Sequence, residues 1–244
     1  MKAIDQLKKN IQKASYYLKG FGRFLLPASY WQAHAKKMMV EFDQLPSQQK
    51  ERINERVNYY NKLTAPFTPS EKAETATEFT FTGKSAAYYI DYKRLINYFP
   101  KEIKFDYLFG DITHIPKIPC FLKSRPIFND QTNQNSLLLK LNKIRHYYFV
   151  KDEYKFDEKI SKLVWRGKNN QPDRLTFLEK FHANPLCDIG DILKKSVGKP
   201  YHAAFMSIPD QLKYKYVLSM EGKDVATNLK WIMASNSVCR HSRR

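Results

Sequence analysis

Cysteine is scarce in this chain of 244 residues: Cys120, Cys187 and Cys239 are odd in number, far apart, and outside any His/Cys spacing that would hold a metal. That pattern argues against a disulfide framework and a zinc knuckle, and a reducing cytoplasm is the expected setting. No run approaches 18 apolar residues, so no bilayer-spanning helix is predicted, and the amino terminus lacks the apolar core and cleavage site of a secretory signal. Glycine and proline are also few, at 8 and 12; with 43% hydrophobic and 14% aromatic residues, collagenous, low-complexity and disordered chains are excluded. Neither GxxxxGK[ST] nor GxGxxG occurs, so the phosphate-loop and dinucleotide fingerprints are missing as well.

Acidic residues are the remaining deficit. The 24 Asp and Glu face 42 Lys and Arg, a formal charge of +18, which favours an anionic partner: nucleic acid, anionic lipid, a lipid-linked phosphosugar or a nucleotide sugar. Finger spacing, a basic zipper, paired aromatic RNA-binding strands and a helix-turn-helix stripe are all absent. Only a non-specific nucleic-acid binding reading survives, on bulk charge alone, and no nucleic-acid partner is expected.

What is present begins with a basic amphipathic helix over residues 1–20. Ile4, Leu7, Ile11, Ala14 and Leu18 recur at three- and four-residue steps, while Lys2, Lys8, Lys9, Lys13 and Lys19 fall mostly off that stripe. Such a helix either packs one face on its own domain or makes peripheral contact with an anionic membrane surface. Residues 1–60 read as mostly helical, broken at Pro27, with Ser47 as the expected N-cap of the third helix. ATEFTFTG reads as a strand, SAAYYIDYKRLINYF as a helix, and FDYLFGDITHIPKIPC as a short strand leading into a loop stiffened by Pro116 and Pro119. From Lys162 onward the rhythm is strand, helix, strand: KLVWRG, QPDRLTFLEKF, PLCDIG, IPDQLKY, KYVLSMEG, VATNLKWIMASN and SVC. Repeated strand-to-helix alternation predicts a parallel sheet in an α/β fold. Ligands of such sheets sit beyond the carboxyl ends of the strands, which puts the WRG, DIG and MEGKDVATN turns on one rim.

At the first of these turns, Gly167 permits close backbone approach, and the guanidiniums of Arg166 and Arg174 have the chemistry to grip a diphosphate. The alternative is that one Arg pairs with Asp173 or Glu179 and the other is solvated. At the last turn, Glu221 and Gly222 stand at a strand end, and Thr227 and Asn228 precede a helix, a set suited to sugar hydroxyls and phosphate. The alternative there is that Asp224 or Thr227 caps the helix and Glu221 is merely exposed. Lys230 and Trp231 read as packing residues, and the basic tail Arg240, His241, Arg243 and Arg244 as solvated charge. Asp111, at the end of a strand, is the leading candidate for a base acting on an acceptor hydroxyl; His114 is the other candidate, and an Asx-turn is the structural alternative for Asp111. Lys123 and Arg125 fit an anionic donor or acceptor, although such pairs are usually just solvated surface.

The run FGDITHIPKIPCFLKSRPI, then KLVWRG with QPDR, PLCDIG, and KYVLSMEGKDVATNLKWIMASNSV, resembles the bacterial lipopolysaccharide-core branch of glycosyltransferase family 90, relatives of the CAP10-like transferases. The resemblance implies a GT-B fold of two facing α/β lobes. Residues 1–150 would form a helical and α/β acceptor lobe, and residues 151–244 a Rossmann-like donor lobe. It implies transfer of a sugar from a nucleotide-diphosphate donor, a UDP-sugar used as substrate, to lipopolysaccharide core or a lipid-linked glycan at the cytoplasmic face of the inner membrane. No metal or other cofactor is implied. By the same resemblance Arg166, Gly167 and Arg174 match the diphosphate segment, Glu221, Gly222, Thr227 and Asn228 the second donor segment, and Asp111 the acidic base. Members of that branch continue past the SNSV strand, so the resemblance implies a carboxyl-terminal lobe that is incomplete here. A truncated, inactive binding or membrane-associated remnant is therefore the alternative to an active enzyme.

Overall fold

A computed structural model describes residues 2–126 and 133–242 of the chain. Met1, positions 127–132, tail residues Arg243 and Arg244, and the side chains of Lys2, Ala3, Ile4, Asp5, Gln6, Lys8 and Ser242 lie outside the described residues. The chain divides into two compact units, Ala3–Ile144 and Arg145–Arg244.

The first unit opens with three helices, α1 (Lys2–Gly22), α2 (Ala28–Asp43) and α3 (Ser47–Tyr60). Pro27 and Pro46 occupy the residues immediately before α2 and α3, where a fixed φ and a missing N–H cost nothing. Ser47 is therefore the first helical residue of α3 rather than its N-cap, and no side chain caps that end. Beyond α3 the secondary structure is sparse: β1 (Glu74–Thr75), α4 (Ala86–Ile96), β2 (Lys104–Phe105), β3 (Cys120–Leu122), β4 (Ser136–Leu138) and α5 (Lys143–His146). β1 pairs antiparallel with β2, and β3 pairs parallel with β4.

The strand expected over ATEFTFTG, residues 76–83, does not form: β1 ends at Thr75, just before it, because local side chains close a turn instead. Thr75 N–H donates to Glu78 Oε2 at 2.8 Å, Glu78 N–H to Thr75 Oγ1 at 3.2 Å, and Phe79 N–H to Thr75 O at 3.0 Å. Lys93 of α4 donates to the carbonyls of Ala76 and Phe79, which a sheet ladder would otherwise use. Phe79 is thereby delivered into an aromatic core, with ring centroids 5.0–5.2 Å from Tyr89, Tyr92 and Tyr107. Tyr92, Ile96, Phe105 and Leu141 complete that core.

The second unit contains a four-stranded parallel sheet in the order β6, β5, β7, β8, from β5 (Ile160–Gly167), β6 (Cys187–Asp191), β7 (Tyr214–Met220) and β8 (Val238–Ser242). α6 (Pro172–Phe181), α7 (Ile208–Gln211) and α8 (Leu229–Met233) lie between successive strands. Side chains alternate across the sheet. Val164 and Val217 join Leu212, Trp231 and Ile232 in one cluster, while Trp165, Leu218 and Met220 join Ile189 and Leu178 in another. Each fully buried aliphatic side chain stabilises by about 2 kcal/mol, so both faces must be covered. α6 supplies Leu178 to one cluster and α8 supplies Trp231 and Ile232 to the other. The parallel α/β sheet read from the sequence is thus present, and CRHS belongs to its outermost described strand: Arg240 lies 5.7 Å over the Tyr216 ring instead of being loose charge.

Candidate functional site

β5 is an inner strand whose continuation passes through α6 to β6 on one side, while β7 pairs with its other side. Since α6 and α8 contribute to different clusters, the chain leaves β5 and β7 toward opposite faces of the sheet. A crevice at the carboxyl ends of such a strand pair is where open α/β sheets hold ligands.

Arg174, on the first turn of α6, fills that position. Its Nη2 donates to Met220 O at 2.9 Å, its Nε to Glu221 O at 3.2 Å, and its Nη1 to Lys168 O at 3.0 Å and Asn170 Oδ1 at 3.3 Å. The guanidinium stands 5.8 Å from the Trp165 ring, a cation–π arrangement that fixes its plane. One side chain therefore ties the turn after β5 to the turn after β7, bringing together Gly167, Arg174, Glu221 and Gly222. Gly167 is required by packing: a Cβ there would sit 2.3 Å from the Trp165 ring.

Arg166 is placed differently. It alternates with Trp165 and so projects from the other face, where its Nη2 lies 2.5 Å from Asp188 Oδ1 and its Nη1 2.8 Å from Asp188 O. Its Nε donates to Ala204 O at 3.2 Å. The two guanidiniums do not converge on one point, and the partner of Arg166 is Asp188, not Asp173 or Glu179. Tyr214 Oη donates to the other Asp188 oxygen at 2.5 Å. Burial pushes the Asp188 carboxyl up, but the hydrogen bonds from Tyr214 and Arg166 outweigh it and hold the group below the usual carboxylate range. Burial and the same hydrogen bond push Tyr214 up to about 12.

At the β7 turn, Glu221 lies 3.4 Å from His241 of β8. Asn228 Nδ2 donates to Leu218 O at 2.9 Å, so its amide braces the turn. Thr227 is half-buried just before α8, and Val225 N–H is held at 2.5 Å by Asp224 Oδ1. The sequence reading missed Asp191, which is fully buried: its Oδ1 accepts from Asn169 N–H at 3.1 Å and Leu193 N–H at 3.0 Å, fixing the turn after β5 from below. A carboxylate closing a strand that neighbours a glycine turn was the available signal.

In the first unit, Asp111 follows Gly110, whose φ of +102° turns the chain after Phe109. Asp111 Oδ1 lies 2.9 Å from Lys123 Nζ; the lysine side chain is 5% exposed and the aspartate 50%. A half-exposed carboxylate held by a buried ammonium is anchored yet reachable. His114 is exposed. Arg125 donates to Tyr59 O at 2.6 Å and to Ser136 O at 3.5 Å, so it serves the unit's own packing.

The sequence model of glycosyl transferase family 90 matches residues 139–244, the span that holds the parallel sheet and its rim. An O-glucosyltransferase, LpsA, of Dichelobacter nodosus is 47% identical over 235 residues, which cover 96% of this chain and 73% of that protein. The chain belongs to glycosyl transferase family 90. Family 90 membership makes it a hexosyltransferase-like enzyme, and the mixed α/β architecture with parallel strands is that of a Rossmann-like lobe. Among the described residues, no group of three His, Cys, Asp or Glu side chains could hold a metal ion, and no helix is long and apolar enough to cross a membrane.

Proposed function

We propose that this enzyme transfers a hexosyl unit, glucose by its likeness to LpsA, from a nucleotide-diphosphate donor to a hydroxyl of lipopolysaccharide core or a related glycan. The observation that carries this is the 47% identity to an O-glucosyltransferase across 96% of the chain. The two units correspond to the acceptor and donor lobes of a GT-B arrangement. The donor diphosphate sits at the rim of β5 and β7, and the +18 charge favours both anionic substrates.

Asp111 takes the proton of the acceptor hydroxyl, whose oxygen forms the new bond to the anomeric carbon while the bond to the diphosphate breaks. The diphosphate leaves with the electron pair and is stabilised by Arg174, whose plane Trp165 already sets. Gly167, Glu221, Gly222 and Thr227 shape the donor pocket around it, and Arg166 and Asn228 hold the flanking strands. Free thiols at Cys120, Cys187 and Cys239 fit the reducing compartment of this reading, in which the reaction runs at the cytoplasmic face of the inner membrane.

Titration calorimetry with UDP and UDP-glucose, followed by transfer to truncated lipopolysaccharide, tests the reading. Micromolar donor binding with transfer is expected. A cooperatively folded chain with no donor affinity would instead identify an inactive remnant.

A further inference from the structure

The two faces of α1 have different fates. Tyr16 Oη donates to Ala87 O at 3.2 Å, and Gly20 sits so close to α4 that a Cβ would lie 2.6 Å from Ile90, so this face docks the helix onto the first unit. At ~100° per residue, Leu7, Ile11, Ala14 and Leu18 fall within a wedge of roughly 60° on the opposite side. Leu7 is 58% exposed, Ile11 60% and Leu18 78%, and Leu25 just beyond the helix is 88% exposed. The apolar stripe is therefore not what holds α1 to its own domain. The helix is anchored by Tyr16 and Gly20, and at its carboxyl end by Phe21 stacked 6.1 Å from Tyr89, and it presents Leu7, Ile11 and Leu18 outward.

We infer that this outward stripe docks the enzyme on an anionic lipid surface. Charge complementarity selects that occupant. Lys9, Lys13 and Lys19 are exposed around the stripe, Arg23 follows, and Asp5 is the sole acidic residue in the first 25. Such a helix lies in the interface plane with its leucines among the acyl chains and its lysines at the headgroups. A second copy is disfavoured as the occupant, because pairing two lysine-flanked stripes would bring like charges together on molecules that each carry +18.

The test is co-sedimentation of the full chain with phosphatidylcholine vesicles and with vesicles containing about 30 mol% phosphatidylglycerol, alongside light scattering of the chain alone. The chain is expected to be monomeric and to sediment with the anionic vesicles only. The combined variant Leu7→Gln, Ile11→Gln and Leu18→Gln should lose binding by about tenfold or more, with its thermal unfolding unchanged because the replaced side chains are exposed. Lys9→Gln, Lys13→Gln and Lys19→Gln should weaken it similarly and flatten its salt dependence. Undiminished binding of the glutamine-for-leucine variant would overturn the inference, leaving bulk charge as the cause. So would a wild-type dimer that the same variant splits, or a wild-type chain that sediments with neither vesicle. None of these readouts depends on donor binding, so failure here leaves the transferase reading intact.

Discussion

Asp188 shows how one carboxylate sets the surroundings of a candidate ligand. It holds Arg166 at 2.5 Å and Tyr214 at 2.5 Å, joining β5, β6 and β7 on one face of the sheet. Because its folded pKa is depressed, the stability it contributes is complete above the ordinary aspartate value and is lost as pH falls through the lower one. Asp188→Asn should cost about 2 kcal/mol in urea unfolding at pH 7, since it leaves a mostly buried guanidinium without its counter-charge. The difference from wild type should shrink below about pH 4. A constant difference from pH 7 to pH 3 would show that shape, not charge, matters at this position. Tyr214 works in the other direction: its raised pKa means that its contribution is complete below about 10 and is lost as pH rises toward about 12. Arg174 is the residue to which the proposed mechanism assigns the donor diphosphate. Arg174→Lys removes the fork that spans Met220 O, Glu221 O and Lys168 O, and calorimetry should show donor affinity reduced by about tenfold or more, with Arg174→Ala lower still.

At the scale of elements, the carboxyl ends of β5 and β6 are set by close packing. A Cβ on Gly167 would meet the Trp165 ring at 2.3 Å, and one on Gly190 would meet Ala203 Cβ at 2.2 Å, whereas one on Gly222 would find Arg174 Nη2 at an ordinary 3.4 Å. Gly167→Ala and Gly190→Ala should each destabilise the chain by about 2–3 kcal/mol, while Gly222→Ala stays within about 0.5 kcal/mol. Thermal melts of the three variants check the contrast. The strands of the second unit were legible because parallel strands buried on both faces read as short apolar runs bounded by turn residues. ATEFTFTG was misread because alternation says nothing about Lys93, contributed from 14 residues further on, which takes the Phe79 carbonyl. Ser47 was misread as a cap because a Pro at the preceding residue satisfies the same steric requirement without a side-chain hydrogen bond.

For the whole molecule, a formal charge of +18 means self-repulsion in the compact state. Raising NaCl from about 50 to about 300 mM should raise the Tm by about 3 °C, measured by calorimetry; no change would mean the charges are already paired locally. The proposed mechanism assigns the acceptor proton to Asp111 and the departing diphosphate to Arg174. Asp111→Asn is therefore expected to abolish transfer while leaving donor affinity within about twofold, and equal loss of both would make Asp111 structural.

The sequence by itself determined the mixed α/β architecture, the parallel sheet, the rim on which Gly167 and Glu221 stand, and the amphipathic character of residues 1–20, because each is written in local periodicity and turn chemistry. Tertiary structure alone decided which charged groups meet. Arg166 and Arg174 are eight residues apart and chemically alike. The alternation of a strand sends one to Asp188, and the first turn of a helix carries the other over Trp165 to the β7 carbonyls. The same holds for α1, whose apolar stripe the sequence shows and whose outward direction depends on Tyr16 and Gly20 meeting α4, contacts some seventy residues apart that no local pattern encodes.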